Sequence, residues 1–367
     1  MAVKRKLVST RVLSSGMRID QEIKDGTGRT LIERGVLLDD FQIEYLKTRG
    51  VGSIYVSEGQ PDPDELNLQI PQYTRDLIEK SRKPDKPKAK LSESVKKQVG
   101  EGVQKLFDDP SAENFTESSA NIAGQLMDSV LADDAVAIDL GMLRVSDDYT
   151  FRHSVDVSAM AIIIGKACGF SQDELREIAV AGLLHDVGKA KIPAEILNKP
   201  GRLEQNEFEY MKQHSLFGFQ ILKEKNMYSE GILKGVLQHH EKLNGKGYPM
   251  GVSGNQIHKY ARVIAVADVF DALVNKRVYK EPFPMGEALE MVISMTRELD
   301  IDIMEKFLHS VILYPVDSIV TLSTGEMAKV VENVDGYPMR PRVVGLEHGM
   351  IYDLSNDVKY ANVIVMN

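Results

Sequence analysis

The spacing of apolar and polar positions changes twice along the chain, and the two changes predict three kinds of structure. Between about residues 92 and 308, apolar residues recur at helical spacing, with breaks near Pro110, Gly169 and Pro200. On either side of this stretch, short alternating runs separated by glycines indicate strands. The chain is therefore predicted to be mainly α, with an all-helical domain, a small α+β domain ahead of it and a short strand-rich extension after it.

The predicted N-terminal domain covers residues 1–57. Asp39 and Asp40 precede a predicted helix that runs through Leu46. Strands are predicted at 6–8, 17–19, 30–32 and 53–56. No group of residues in this domain indicates catalysis, so a regulatory or docking role is expected.

Residues 58–98 contain five prolines and a basic cluster. The cluster consists of Arg82, Lys83, Lys86, Lys88, Lys90, Lys96 and Lys97. A nucleic-acid or acidic-lipid patch is one interpretation, but no aromatic residues alternate with these lysines. A flexible Pro/Lys-rich linker is therefore the favoured prediction. It leaves a helical catalytic domain at residues 99–311.

The C-terminal extension is predicted at residues 312–367. Alternating runs at 318–322, 327–331 and 342–344 indicate strands, and Gly325 and Gly336 separate them. The extension is therefore expected to be β-rich.

Composition and charge exclude some functional classes. The net charge of −9 argues against general nucleic-acid binding, so a phosphate-containing substrate would need positive charge supplied within the site. The single cysteine, Cys168, excludes an intrachain disulfide framework and is typical of a reducing compartment. No apolar run reaches the ~18–20 residues of a membrane span, and no signal peptide is recognisable. A cytoplasmic protein without a membrane span is expected.

Candidate metal ligands gather in the helical region. His185 and Asp186 end an apolar helical run, and Gly188 and Lys189 follow them closely. Histidine and aspartate bind divalent first-row metals, and neighbouring residues on a helix can serve two different ions. The candidates in this region are His153, His185, Asp186, His214, His239, His240 and Asp268. The histidines at 258, 309 and 348 lack such neighbours, so surface or core roles are expected for them.

Two of the candidates are difficult to explain as ordinary core residues. The doublet His239 and His240, followed by Glu241, would be costly to bury without a metal or a supporting carboxylate. Asp268 lies in an apolar run, where an ionised carboxylate needs a partner. The sequence therefore predicts a site with more than one metal ion.

Four motifs in this region resemble those of the HD-GYP family. They are residues 185–189 (HDVGK), 196–203 (ILNKPGRL), 239–249 (HHEKLNGKGYP) and 267–273 (ADVFDAL). The family consists of HD-superfamily phosphohydrolases that cleave cyclic dinucleotides, chiefly cyclic di-GMP. The resemblance covers roughly residues 145–315. Residues 1–57 are also weakly similar to a small domain often found ahead of this module in bacteria.

The resemblance implies roles for individual residues. It makes the seven candidates metal ligands, with Asp186 bridging two ions of iron or manganese. A third ion needs a glutamate where this chain has Tyr149, so two ions are expected, and Asn244 stands where the family usually has aspartate. Asp186 and Lys189 are the implied catalytic residues. The implied substrate contacts are Lys189, Tyr248, Asp271, Arg277 and Lys280.

The implied activity is metal-dependent hydrolysis of a cyclic dinucleotide, with attack by a metal-bridging hydroxide and release of the linear dinucleotide, GMP or both. The alternatives are a non-catalytic cyclic-dinucleotide receptor, an enzyme that prefers cyclic GMP-AMP, and an HD phosphohydrolase acting on mononucleotides. The Gly-Tyr-Pro sequence disfavours the last of these. Protein partners are expected to bind the N-terminal domain or the Gly-Tyr-Pro loop, and the sequence leaves a homodimer open.

Overall fold

The computed structural model describes residues 5–13, 17–19, 21–24, 30–32, 36, 38–49, 51–57, 70–89, 91–143, 151–275 and 282–366. Its helices are α1 (Asp40–Thr48), α2 (Gln72–Ser81), α3 (Glu93–Asp108), α4 (Phe115–Val130), α5 (Arg152–Ala167), α6 (Gln172–Leu184), α7 (Ala194–Leu197), α8 (Gln205–Met211), α9 (His214–Glu224), α10 (Glu230–Gln238), α11 (Lys259–Val274), α12 (Met285–Ser294) and α13 (Ile301–His309). The prediction of a mainly α protein is confirmed.

The strands lie mostly at the two ends of the chain. They are β1 (Arg5–Ser9), β2 (Arg18–Ile19), β3 (Ile23–Lys24), β4 (Thr30–Ile32), β5 (Ser53–Ser57), β6 (Ile138–Asp139), β7 (Val311–Ile312), β8 (Ile319–Leu322), β9 (Met327–Glu332), β10 (Arg342–Gly345), β11 (Ile351–Asp353) and β12 (Val365–Met366). Near the N-terminus, β1, β5 and β2 form one antiparallel sheet and β3 pairs with β4. The predicted strands and the predicted helix of this region are confirmed.

The core of the helical region is built around α5 and α11. Every residue of α5 from Ser154 to Gly165 is buried, and α11 is buried over most of its length. A helix that is apolar on all sides belongs at the centre of a domain, with other helices around it. Ser171 and Glu174 form a capping box at the start of α6, which packs against α5. The residues at the ends of these helices are consequently fixed in position.

The C-terminal strands form one five-stranded sheet in the order β11-β10-β9-β8-β12, with antiparallel neighbours. One group of buried side chains, including Val330 and Val343, forms its own small core on the sheet. The alternating burial along β8, where Val320 and Leu322 are buried, explains why the strand pattern was readable from sequence. The β-rich extension is confirmed.

The prediction of a flexible linker is wrong for residues 70–89. Helix α2 packs onto the C-terminal sheet, where Ile70 and Ile78 are buried against Val331 and Val344. The chain then continues along the same sheet, and the amide of Lys83 donates to the carbonyl of Val331 over 2.8 Å. Residues 58–69 lie outside the described part of the chain. The boundaries at 57, 98 and 311 remain predictions.

Basic residues of this segment are paired with acidic residues far along the chain. Arg82 contacts Asp317 at 2.6 Å, and Lys83 contacts Glu332 at 2.7 Å. Two further pairs join Lys86 to Asp335 and Lys88 to Asp139. These side chains remain largely exposed, but each has a specific partner that was not predicted, because the partners lie in elements that sequence proximity does not reveal. Within the described residues, no helix is both long and apolar enough to cross a membrane.

Candidate metal centre

Five helices bring the seven predicted ligands to one place. His153 lies in the first turn of α5, and His214 begins α9. The pairs at 185–186 and 239–240 follow the last turns of α6 and α10, while Asp268 lies within α11. The ligand atoms form two groups, each within 4.8 Å. We call them the Asp186 cluster (Asp186, His214, His239 and His240) and the His153 cluster (His153, His185 and Asp268).

A glycine allows the chain after Asp186 to approach α9. A Cβ atom on Gly188 would lie 1.9 Å from the carbonyl oxygen of His214, a distance that no side chain tolerates. The segment after Asp186 therefore packs directly on the backbone that carries His214. This close contact places Asp186 Oδ1 at 3.3 Å from His214 Nε2.

Three of the histidines are oriented by nearby backbone carbonyls. Their Nδ1 atoms bond to the carbonyl oxygen three residues earlier: His185 to Gly182 at 2.7 Å, His214 to Met211 at 2.8 Å and His239 to Val236 at 2.7 Å. Because a carbonyl only accepts, Nδ1 must carry the proton and Nε2 keeps its lone pair. Each ring therefore presents an acceptor nitrogen to the centre.

The ligand atoms that face the centre of the site are better suited to binding a cation than to contacting one another. His214 Nε2 lies 3.3 Å from His239 Nε2, and both nitrogens are left as acceptors by their Nδ1 bonds. Two lone pairs facing each other in a buried site repel unless a cation lies between or beside them. Imidazole nitrogens and carboxylates oriented by such outer bonds are typical of divalent metal sites. The residues present therefore fit metal ions.

Asp186 faces both clusters. Its Oδ1 lies near His214 as described, and its Oδ2 lies 3.4 Å from His185 Nε2. Asp268 has a similar arrangement, because one oxygen lies 3.2 Å from His153 and the other lies 3.7 Å from His240. The two clusters are therefore contiguous, and the two carboxylates lie between them.

Asp271 supports His153 from behind, and its role as a substrate contact remains a prediction. Its Oδ2 lies 2.6 Å from His153 Nδ1, and its Oδ1 accepts a hydrogen bond from Asn275 at 2.8 Å. The side chain is only 1% exposed, and its oxygens face His153 and Asn275. A carboxylate bonded to the outer nitrogen of a histidine orients the ring and makes its inner nitrogen more basic.

The titration behaviour of the histidines differs within the site. Burial lowers the pKa of His239 and His214, and lowers that of His240 to about 3. Burial also disfavours the His153 cation, but hydrogen bonds to Asp268 and Asp271 outweigh it and raise the His153 pKa to about 10. Burial opposes ionisation of Asp186, yet the neighbouring positive charge of Lys189 holds its pKa well below the usual range. The site therefore favours ionised carboxylates and attracts cations.

The predicted substrate contacts are only partly described. Lys189 Nζ lies 2.5 Å from Asp186 Oδ2. The Tyr248 ring lies 4.6 Å from the His240 ring at 35° and so forms part of the wall of the site. Arg277, Lys280 and Tyr149 lie outside the described residues. The roles of Lys189 and Tyr248 towards substrate therefore remain predictions.

Glu241 holds the loop that contains Tyr248. Its buried carboxylate accepts hydrogen bonds from the amides of Met250 at 2.7 Å and Gly251 at 3.1 Å. The loop also passes so close that a Cβ on Gly247 would lie 2.4 Å from the Cα of Glu241. From the sequence, Glu241 was seen only as a neighbour of the histidine doublet, and its contacts with the loop were not predicted.

Asp156 is a second residue that the sequence analysis missed. It is fully buried one turn after His153, and neither oxygen has a hydrogen-bond partner among the described residues. Arg152 Nε lies 3.4 Å from one of the oxygens. Burial, followed by the charge of Asp271, raises the pKa of Asp156 to about 7. An aspartate on the same helical face as a predicted ligand, inside an apolar run, was the available signal.

Comparison with known proteins agrees with this geometry. A family model described as an HD domain matches residues 139–303. A cyclic di-GMP phosphodiesterase of Pseudomonas aeruginosa is 34% identical over 228 residues, which cover 62% of this chain and 55% of that protein. A cyclic di-GMP phosphodiesterase of Thermotoga maritima is 41% identical over 177 residues, which cover 46% of this chain and 48% of that protein. The chain thus spans about half the length of these relatives.

A solved structure supports the fold. A protein of Bdellovibrio bacteriovorus, described as an HDG"Y"P protein, superposes with a TM-score of 0.51 at 16% identity. The match covers 83% of this chain and 98% of that chain. The likeness therefore extends beyond the helical core to most of the molecule.

Proposed function

We propose that this chain, which contains an HD domain at residues 139–303, is a metal-dependent phosphodiesterase that hydrolyses a cyclic dinucleotide. Cyclic di-GMP is the first choice of substrate, and the linear dinucleotide, GMP or both are the products. The observation that carries the proposal is the pair of contiguous ligand clusters, with carboxylates between them. This arrangement suits two ions acting on one phosphodiester.

The proposed ligands are the seven residues of the Asp186 and His153 clusters, with Asp186 as the bridge. Two ions of iron or manganese are proposed, because imidazole and carboxylate donors suit both metals. Bound ions would supply Lewis acidity towards water and the phosphoryl oxygens. The protein carries a net charge of −9, so the cationic character that attracts a phosphate is local to this site.

The side chains near the clusters have separate proposed tasks. Lys189 is proposed to bind a phosphoryl oxygen from its position beside Asp186, where it is 35% exposed and can reach a ligand. Tyr248 is proposed to contact the substrate at the edge of the site. Arg277 and Lys280 are proposed to contact the phosphates on sequence grounds alone. Burial around the histidines excludes water from all but the substrate-facing side.

The test is metal analysis combined with product chromatography. Protein purified without oxygen should contain two iron or manganese ions per chain and should convert cyclic di-GMP in preference to cyclic GMP-AMP. Three ions or none per chain would contradict the proposed metal content. Tight binding of cyclic di-GMP by metal-loaded protein without any product would instead indicate a receptor.

The remaining parts of the chain are proposed to regulate this activity. The N-terminal domain contacts the helical region where Lys97 lies 6.0 Å from the ring of Phe41. This contact connects the domain to α3, which packs against α5. We propose that the N-terminal domain or the Gly-Tyr-Pro loop binds protein partners.

A further inference from the structure

A cyclic dinucleotide contains more groups than the Asp186 and His153 clusters can bind. A cyclic dinucleotide has two phosphodiester groups and two purine bases, and the clusters can act on only one phosphodiester at a time. The other phosphate lies across the macrocycle and needs a cation outside the clusters, and its base needs an apolar surface. The inference below rests on the proposed function.

Lys212 lies at the side of the Asp186 cluster between two aromatic rings. Its Nζ lies 4.9 Å from the centre of the Phe208 ring and 5.8 Å from that of Tyr248. The Tyr248 ring in turn packs on His240, a residue of the Asp186 cluster. Lys212 is therefore the link between an exposed aromatic residue and the wall of the metal site.

The aromatic surface beside Lys212 is exposed but firmly held. Phe208 is 45% exposed, although large aromatic side chains are usually buried. It lies on α8, whose first turn is fixed by a capping box between Glu204 and Glu207. Lys199 Nζ also holds Glu207 at 2.6 Å. A ring on a fixed backbone has less conformational freedom to lose when a base stacks on it.

The charge of Lys212 lies beside this surface, and 27% of its side chain is exposed. Among the described residues, Lys212 pairs with Glu209, one turn earlier, at 2.7 Å, and the Glu209 side chain is 53% exposed. A partly exposed ion pair of this kind contributes little to stability, and a phosphate can replace Glu209. Lys189, by comparison, lies against the buried carboxylate of Asp186. The two lysines are thus suited to different phosphates.

We propose that Lys212, Phe208 and Tyr248 form a second subsite, which binds the nucleotide of the cyclic dinucleotide that is not being cleaved. Lys212 binds the second phosphate, and the Phe208 and Tyr248 rings contact the purine attached to it. The subsite selects cyclic dinucleotides over small phosphodiesters. Its contribution appears in KM, because these groups lie away from the reacting phosphorus atom.

The test compares two substrates with the full-length, metal-loaded protein. Cyclic di-GMP has the second phosphate, whereas bis(p-nitrophenyl) phosphate has one phosphate only. Lys212→Met should raise KM for cyclic di-GMP about tenfold and leave kcat and KM for the small diester unchanged. Lys212→Arg should restore the KM for cyclic di-GMP. Phe208→Leu should raise that KM about fivefold, and Phe208→Tyr should not.

Lys223→Met is the matched control. Lys223 also lies on an aromatic ring, 5.4 Å from Phe219, but near the far end of α9. This variant should change neither substrate's kinetics. Equal effects of Lys212→Met on both substrates, or no effect on either, would overturn the subsite. A wild-type protein that cleaves only the small diester would instead refute the proposed function.

Discussion

The two ligand clusters are built from similar residues but are supported differently. In the Asp186 cluster, His214 and His239 are held by carbonyl oxygens, and burial lowers the pKa of every histidine. In the His153 cluster, His153 is held by the carboxylate of Asp271, and its pKa is raised to about 10. The first cluster presents neutral imidazoles that are ready for a metal, together with the carboxylate of Asp186. The second has extra negative charge, which a proton or a metal ion can neutralise.

The difference shows that one outer carboxylate changes the character of a site made from the same ligand types. A carbonyl fixes the tautomer without adding charge, whereas a carboxylate also strengthens the donor. The two clusters should therefore bind metal with different affinities and respond to different substitutions. Three experiments test this contrast, and a fourth concerns the buried carboxylate of Asp156, one turn after His153.

The largest effect is expected from Asp186, which faces both clusters. Asp186→Asn should lower kcat/KM for cyclic di-GMP by about 10³-fold, because the proposed bridge is lost. Product chromatography and elemental analysis measure the two consequences. Asp173→Asn, an exposed carboxylate at the start of α6, is the control and should have no effect. Full turnover with both metals retained would show that Asp186 does not bridge.

Metal removal should destabilise the fold through both clusters. Chelator-treated protein should have a lower Tm, and metal returned at 100 times its Kd should raise the free energy of unfolding by about 2.7 kcal/mol for each site. Two separate steps in a metal titration of Tm are expected if the clusters differ in affinity. Calorimetry measures the Tm. A Tm that does not change when either metal is added would argue against binding at these ligands.

The next effect concerns the support of His153. Asp271→Asn should weaken metal binding at the His153 cluster by about 10- to 100-fold and leave the Asp186 cluster unchanged. Titration against a competing chelator measures both sites separately. Asp156→Asn is the control, because Asp156 is equally buried but makes no hydrogen bond to a proposed ligand within the described structure. Equal weakening of both sites would remove the contrast between the clusters.

The smallest effect concerns pH. The pKa of Asp156 is raised to about 7 in the folded chain from an ordinary value of 3.8. Because the folded state holds this proton more tightly, its contribution to stability is present at low pH and is lost as the pH rises towards 7. Metal-free wild type should therefore lose more Tm than metal-free Asp156→Asn between pH 4 and 7. Parallel Tm curves for the two proteins would contradict this assignment.

The ligands could be predicted from sequence because they are polar residues in apolar helical runs. Asp268 among Ala265, Val266 and Ala267 is the clearest example, since a buried carboxylate needs a partner. The strands of both terminal regions were also readable, because the burial of alternate side chains leaves a pattern of period two. In these cases, the residue types and their spacing along the chain were enough to predict the structure.

Other features depend on partners that local sequence does not identify. Asp271 follows Asp268 by one helical turn, and only the packing of α11 against α5 places it behind His153. The ion pairs of Arg82 and Lys83 were not predicted, because their acidic partners lie in and beside the C-terminal strands. Lys212 belongs to no motif in the sequence, so its role was not predicted. Its position between two rings depends on the packing of α8 beside the Gly-Tyr-Pro loop.

The pairing of residues 70–89 with the C-terminal sheet has a consequence for synthesis of the protein. Arg82 and Asp317 are 235 positions apart, and Lys83 and Glu332 are 249 apart. At about 5–20 residues per second, the ribosome makes the acidic partners many seconds after the basic segment has emerged. Ile70 and Ile78 have no sheet to pack on during this interval. Residues 70–89 therefore cannot bury these two side chains until the strands of the C-terminal sheet have been made.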